Sequence, residues 1–314
     1  MRAELWLLAD VGGTSTRVGL ARDGRLDPGS TQSFRNADFT GLDEVLNRYL
    51  GHHRATAPTA LCAGVAGHVR GGTAQLTNLD WVIDSAELAK VTGVGDIHLI
   101  NDLAAQGYAL DDLPPTSVTP LIARARPPRD SARMVMGLGT GSNIAVVHRT
   151  PQGLFIPPAE AGHSSLPHCD GAIGALISAL SGEQAHRPLE ALLSGPGLGR
   201  MHAHLNGETL DPGQIIAAHL GGDPGATATL ATFVRLLGTV LGDLALNHLP
   251  MGGIYLIGGT ARAVAPCLLA LGFEDSFAAK GPYSQIMQDI PLSLITDDTA
   301  ALLGCARYLR QSHC

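Results

Sequence analysis

Apolar residues first gather in a short run, Leu5-Trp6-Leu7-Leu8-Ala9, which Asp10 and the pair Gly12-Gly13 bring to a stop. β-prone alternation resumes over 16–21, Arg22-Asp23-Gly24 reads as a second turn, and a third run lies around Thr31-Gln32-Ser33-Phe34. Strand, turn, strand, turn, strand predicts an antiparallel meander. Leu42, Val45, Leu46, Tyr49 and Leu50 then recur at three- and four-residue spacing, which predicts a helix lying over that sheet. Further strands are expected at Ala60–Val65, 97–100 and 134–137, with a helix over 85–91 between the first two. A hairpin sheet joined to β-α-β crossovers predicts mixed sheets with helices on their faces.

Beyond residue 150 the pattern turns helical. Apolar residues at helical spacing mark Gly171–Leu180, 214–220 and the long stretch 226–249. A β-run at Ile254–Ile257 ends in Gly258-Gly259, a helix is expected from about Ala261, Leu292–Ile295 is the last strand and 299–309 a closing helix. The Pro-rich, charged segment 123–130 reads as an exposed loop. A weaker motif recurs three times, an apolar strand followed by a Gly-rich turn, at 10–14, 137–141 and 258–260. Three such turns suit a site that grips a triphosphate.

Composition narrows the class. With 314 residues the chain exceeds what one core readily supports, so two lobes are expected. The division expected is a smaller α/β lobe of residues 1–110 with 299–314, and a larger, helix-rich lobe of 111–298. The net charge of -7, without a long run of either sign, argues against a nucleic-acid surface. It leaves room for phosphorylated ligands, which backbone N–H groups and Mg²⁺ can hold. Five scattered cysteines, none at C-x-x-C spacing, argue against disulfides and thiolate zinc and for a reducing cytoplasm. The first apolar run is too short for a membrane span and reads as a buried strand.

In Asp10-Val11-Gly12-Gly13-Thr14 an acid closes a strand and two glycines expose backbone N–H groups. A phosphate can approach such a turn, the acid can hold Mg²⁺ directly or through water, and Thr14 can bond a phosphate oxygen. The same residues also suit a plain hairpin turn. Gly137-Leu138-Gly139-Thr140-Gly141 repeats the theme after another buried strand but is no Walker motif, having no G-K-[ST]. Gly258-Gly259-Thr260 before a helix is a third, weaker candidate. Asn101 and Asp102 end an apolar strand, where open α/β sheets place ligands, and a carboxylate there can take a hydroxyl proton. Locally, though, Asp102 reads at least as well as a helix N-cap. Glu160 and His163, separated by small residues, can offer hydrogen bonds to sugar hydroxyls; a metal site of His163, His168 and Cys169 is the rival reading, without an evident fourth ligand. Glu190 looks like a plain helix acid, and Ser194-Gly195-Pro196-Gly197 like a helix stop and restart.

Taken in order, these segments resemble the bacterial glucokinase family. The resemblance runs from Asp10 to about Leu309, through the segments already quoted and through Leu76-Thr77-Asn78-Leu79-Asp80-Trp81, Leu244-Ala245-Leu246-Asn247 and Asp289-Ile290-Pro291. It implies a two-lobed actin/hexokinase-like α/β fold, with mixed β-sheets flanked by helices and a cleft between the lobes. It also implies ATP-dependent phosphorylation of glucose at the 6-hydroxyl, with Mg²⁺, in a homodimer. Carried over residue by residue, it makes Asp102 the general base and Asn101, Asp102, Glu160, His163 and Glu190 the sugar-binding set. Asp10, Gly12, Gly13, Thr14, Gly137, Gly139, Thr140 and Gly141 become the phosphate loops, with Gly258 and Gly259 beside the adenosine. The chain lacks the cysteine-rich zinc motif and the N-terminal helix-turn-helix of repressor-related sugar kinases, and so resembles the zinc-free branch.

The chain also departs from the family pattern. Ser15-Thr16-Arg17 stands where Asn-Ala-Arg is frequent, Ser142-Asn143 where Leu-Gly is usual, and Ala63-Gly64-Val65-Ala66-Gly67-His68 replaces the common Ala-Gly-Pro run. No assigned residue is lost. Mannose, fructose or an N-acetylhexosamine as substrate, ADP or polyphosphate as donor, a sugar sensor without turnover and an actin-like ATPase without a sugar are the competing readings.

Overall fold

A computed structural model of the chain describes residues 4–53, 57–77, 79–125, 127–181 and 186–313. Asn78 of the Leu76-to-Trp81 segment, Arg126 of the charged loop and Cys314 therefore lie outside the described residues. The chain divides into two compact units, one of Met1–Pro115, Gln152–Pro158 and Asp297–Cys314, the other of Thr116–Pro151 and Ala159–Thr296. Both carry mixed α/β structure with helices flanking the sheets, as the hydrophobic pattern predicts.

In the first unit the strands run in the order Arg25–Arg35, Ser15–Arg22, Leu5–Val11, Ala60–Val65, Asp96–Asn101. The first three form the antiparallel meander, and the last two add parallel to it. Successive side chains of a strand face opposite ways, so the Leu5–Val11 run feeds two cores. Leu7, Ala9 and Val11 pack with Leu42, Val45, Leu46 and Tyr49 of the helix Leu42–His52. Trp6 and Leu8 pack with Leu302, Cys305 and Leu309 of the closing helix Ala300–Ser312. A strand covered on both faces must be apolar throughout, which is why it reads as a continuous run. The third strand begins six residues earlier than its apolar pattern predicts, because Asp27-Pro28-Gly29 reads as a turn yet lies in an edge strand with a shifted register. A small antiparallel sheet of Gly67–Arg70, Thr73–Leu76 and Val82–Asp84 was not anticipated from the pattern.

In the second unit Ser142–Thr150, Arg133–Leu138, Ile254–Ile257, Leu292–Ile295 and Val118–Ile122 lie side by side in that order. The last is an edge strand containing Pro120, and the missing N–H there explains why it escapes a propensity reading. The helix Pro224–His248 starts where Asp223 accepts from Ala226 N–H and buries Phe233, Leu237 and Leu241 in the core. It is the one described helix long and apolar enough to cross a membrane, yet 67% of its most apolar window is buried inside the protein.

Candidate active site

Asp10, Gly64 and Ile100 pair side by side across the three parallel strands, so the ends carrying Asp10 and Asn101 open at the same edge. The turn after Asp10 is clamped: Gly12 N–H donates to Ser15 O at 3.0 Å, and the Asn36 side chain donates to Gly12 O at 2.7 Å. Asn36 is 1% exposed, accepts from the Thr16 hydroxyl at 2.8 Å and donates its own N–H to Thr14 O at 3.0 Å. Nothing in the sequence marks Asn36 as part of this site; its partners are Gly12 and Thr14 of the turn and Thr16 at the start of the next strand. Burial pushes the Asp10 carboxyl up to about 6, against the Arg17 guanidinium 3.4 Å away and with Asp298 adding to the rise. A desolvated carboxylate gains from a cation, so Asp10 fits Mg²⁺.

Asn101 is the N-cap of the helix Asp102–Ala109, its Oδ1 accepting from Leu103 N–H at 3.0 Å and Ala104 N–H at 3.2 Å. This corrects the local reading of Asp102 as the cap. Asp102 is the first helical residue, partly buried, its Oδ1 accepting from Leu103 N–H at 2.8 Å.

In the second unit three Gly-rich segments meet at one carbonyl. Gly139 O accepts from Gly195 N–H at 2.8 Å and from the Thr260 hydroxyl at 3.2 Å, while Gly139 N–H donates to Gly141 O at 2.9 Å. Gly139 and Gly259 face open space on the side where a Cβ would point, leaving their backbone approachable. Gly258 takes φ +108° with a would-be Cβ 2.3 Å from Leu138 O, so only glycine passes the chain from strand to helix here. Thr140 is exposed at the tip of its turn.

Beside that turn stand the three polar residues. Glu160 Oε2 accepts from Asn143 Nδ2 at 2.9 Å. His163 lies in the short 3₁₀ turn Ala161–His163, with its Nε2 3.9 Å from Glu190 Oε1. Glu190 sits not on a regular helix, as its surroundings in sequence suggest, but in the 3₁₀ turn Leu189–Ala191, with Oε2 2.7 Å from where a Cβ on Gly141 would lie. The restart after Ser194 is the helix Gly195–Asn206, capped by the Ser194 hydroxyl accepting from Gly197 N–H. His163, His168 and Cys169 do not gather as a candidate metal-ligand group among the described residues.

The sequence model of the family described as Glucokinase matches residues 7–312. The chain belongs to the glucokinase family. It is 32% identical to a glucokinase of Mesorhizobium japonicum over 97% of this chain and 91% of that protein. It is 33% identical to one of Stenotrophomonas maltophilia over 96% of this chain and 94% of that protein. The crystal structure of a glucokinase from an Antarctic psychrotroph superposes with a TM-score of 0.83 at 32% identity, covering 98% of each chain. As a member of this family the chain is a hexose kinase that phosphorylates glucose with ATP, and a sensor without turnover is not favoured.

Proposed function

We propose that Asp102 is the general base of this glucokinase and that Asn101, Asp102, Glu160, His163 and Glu190 hold the hexose. In this reading the 6-hydroxyl oxygen bonds to the γ-phosphorus as the bond to the ADP oxygen breaks, and the hydroxyl proton passes to Asp102. The observation that carries it lies at the helix start: Asn101 is the cap, accepting from both Leu103 N–H and Ala104 N–H, so the fold does not require Asp102 in that role although its Oδ1 shares Leu103 N–H. The turns at 10–14 and 137–141, with Gly258 and Gly259, hold the nucleotide through backbone N–H groups. Mg²⁺ at Asp10, direct or through water, would offset charge on the phosphate oxygens. Positioning and charge compensation supply most of the rate, since no covalent intermediate is involved.

Glucose 6-phosphate made this way would feed glycolysis in the cytoplasm, a compartment that suits four described cysteines with free thiols. A homodimer is the assembly proposed, to be checked by light scattering. The substrate assignment is tested by ADP release over glucose, mannose, fructose and N-acetylglucosamine, each with ATP and with polyphosphate. Glucose with ATP should give the highest kcat/KM; a preference for another hexose or for polyphosphate overturns it.

A further inference from the structure

Asp96 and His98 are two apart on the strand Asp96–Asn101, so both side chains leave the same face of the sheet's edge strand. The closing helix Ala300–Ser312 ends against that face, and His313, its C-cap residue, arrives from 217 positions away. His98 Nε2 lies 3.0 Å from Asp96 Oδ1, and His313 Nε2 lies 2.7 Å from Asp96 Oδ2. One ligand atom from each residue falls within 4.8 Å of the other two.

The rings are held in place. His98 packs edge-on against Tyr308, with centroids 5.3 Å apart at 65°, and His313 against Trp6 at 5.4 Å and 87°. Glu4 Oε2 stands 3.9 Å from His313 Nδ1, the nitrogen that faces away from Asp96. Without an ion the 2.7 Å contact has His313 Nε2–H donating to Asp96; an ion would displace that proton and leave Nδ1–H facing Glu4, as in metal-bound histidines whose outer nitrogen faces an acid. The three residues are 27–44% exposed, open enough to admit an ion and a water.

We infer that Asp96, His98 and His313 form a binding site for a divalent transition-metal ion of the zinc class. Two imidazoles and a carboxylate are a common zinc donor set, and ligands about 2.0–2.1 Å from a tetrahedral ion stand about 3.3 Å apart. Each histidine nitrogen is already 3.0 or 2.7 Å from an oxygen of Asp96 and all three ligand atoms lie within 4.8 Å of one another, so small side-chain shifts about the carboxylate make room for the ion, with water as the fourth ligand. Imidazole donors select against Mg²⁺, so this site does not compete for the ion that Asp10 fits. Asp96 and Asn101 stand at opposite ends of one strand, so the ion would pin the end of the closing helix to the sheet without touching the residues assigned to the sugar.

Chelator-treated full-length protein titrated calorimetrically with Zn²⁺, in millimolar Mg²⁺, tests this. The expected result is one ion per chain at micromolar affinity with a raised Tm, and binding at least tenfold weaker in each of His98→Gln and His313→Gln. His163→Gln should leave binding unchanged. The two weakened variants should keep the glucose kinase kcat, which also reports that they fold. His313→Gln, just past the last turn of the closing helix, keeps the test open if His98→Gln is unstable. No Zn²⁺ uptake by the intact chain, or uptake unchanged in folded His313→Gln, overturns the site and leaves the cluster an ordinary set of ion pairs.

Discussion

The Asn143 side chain donates from Nδ2 to Glu160 Oε2 and to Ala159 O, each at 2.9 Å, while its Oδ1 accepts from Ile144 N–H. One side chain thus ties the second Gly-rich turn to the Glu160–His163 segment. Gly162 completes the fit: a Cβ there would sit 1.7 Å from Ser142 O. A hydrogen bond to a charged group contributes about 1.5–3 kcal/mol. Part of that would be lost as sugar affinity in Asn143→Gly, which removes both donors. The glucose KM should rise about three- to tenfold with kcat nearly unchanged, and Asn143→Asp, which sets a second carboxylate against Glu160, should do worse. Steady-state kinetics check this; an unchanged glucose KM would mean that Glu160 needs no such support.

Asp102→Asn keeps the shape of the side chain and removes its basicity. Loss of a general base costs about 10²-fold or more in kcat. Glucose affinity measured by calorimetry should hold within a few-fold, separating proton transfer from binding. Asn101→Ala acts differently: it deletes the helix cap, at about 1 kcal/mol of stability, and should weaken glucose binding as well. Wild-type turnover in Asp102→Asn would remove the base assignment.

Much of this was legible in sequence because it is periodic. The Leu5–Val11 run, the Leu42–His52 helix and the strands Ile254–Ile257 and Leu292–Ile295 follow directly from apolar spacing. The Gly-rich turns were legible as turns, but their meeting at Gly139 O brings together positions 139, 195 and 260, which no local pattern connects. Glu190 was hidden for the same reason, since only folding sets it beside His163 and Gly141. The Pro28-bearing start of the third strand and the whole strand with Pro120 were missed because tertiary pairing at a sheet edge overrides local propensity.

Asn36 is where hidden structure bears on activity. Asn36→Leu leaves the fully buried Thr16 hydroxyl without its acceptor and the half-buried Gly12 O without its side-chain donor. An unsatisfied buried group costs about 1–3 kcal/mol, so urea unfolding should register a loss of about that size, carried mainly by the Thr16 hydroxyl. Because Asn36 clamps the first Gly-rich turn, the ATP KM should rise about tenfold while the glucose KM moves little. Lost stability with an unaltered ATP KM would detach that turn from the nucleotide.

Asp10 carries the clearest pH signature. Its carboxyl is raised from 3.8 to about 6, chiefly by burial, so the folded state holds this proton more tightly than the unfolded chain does. The sign follows from linkage: well below pH 3.8 the acid is neutral in both states and costs nothing, and the cost grows as pH rises from there, reaching its full value above about pH 6. Asp10→Asn removes the ionisation altogether. It should stabilise the ligand-free protein by on the order of 1–3 kcal/mol at pH 8, and the gain should shrink below about pH 6 to a small remainder at pH 4. The same variant should lose nearly all ATP-dependent turnover. Thermal unfolding of both proteins from pH 4 to pH 8 checks it; a stability difference that does not depend on pH would show that Asp10 is ionised at no cost in the fold.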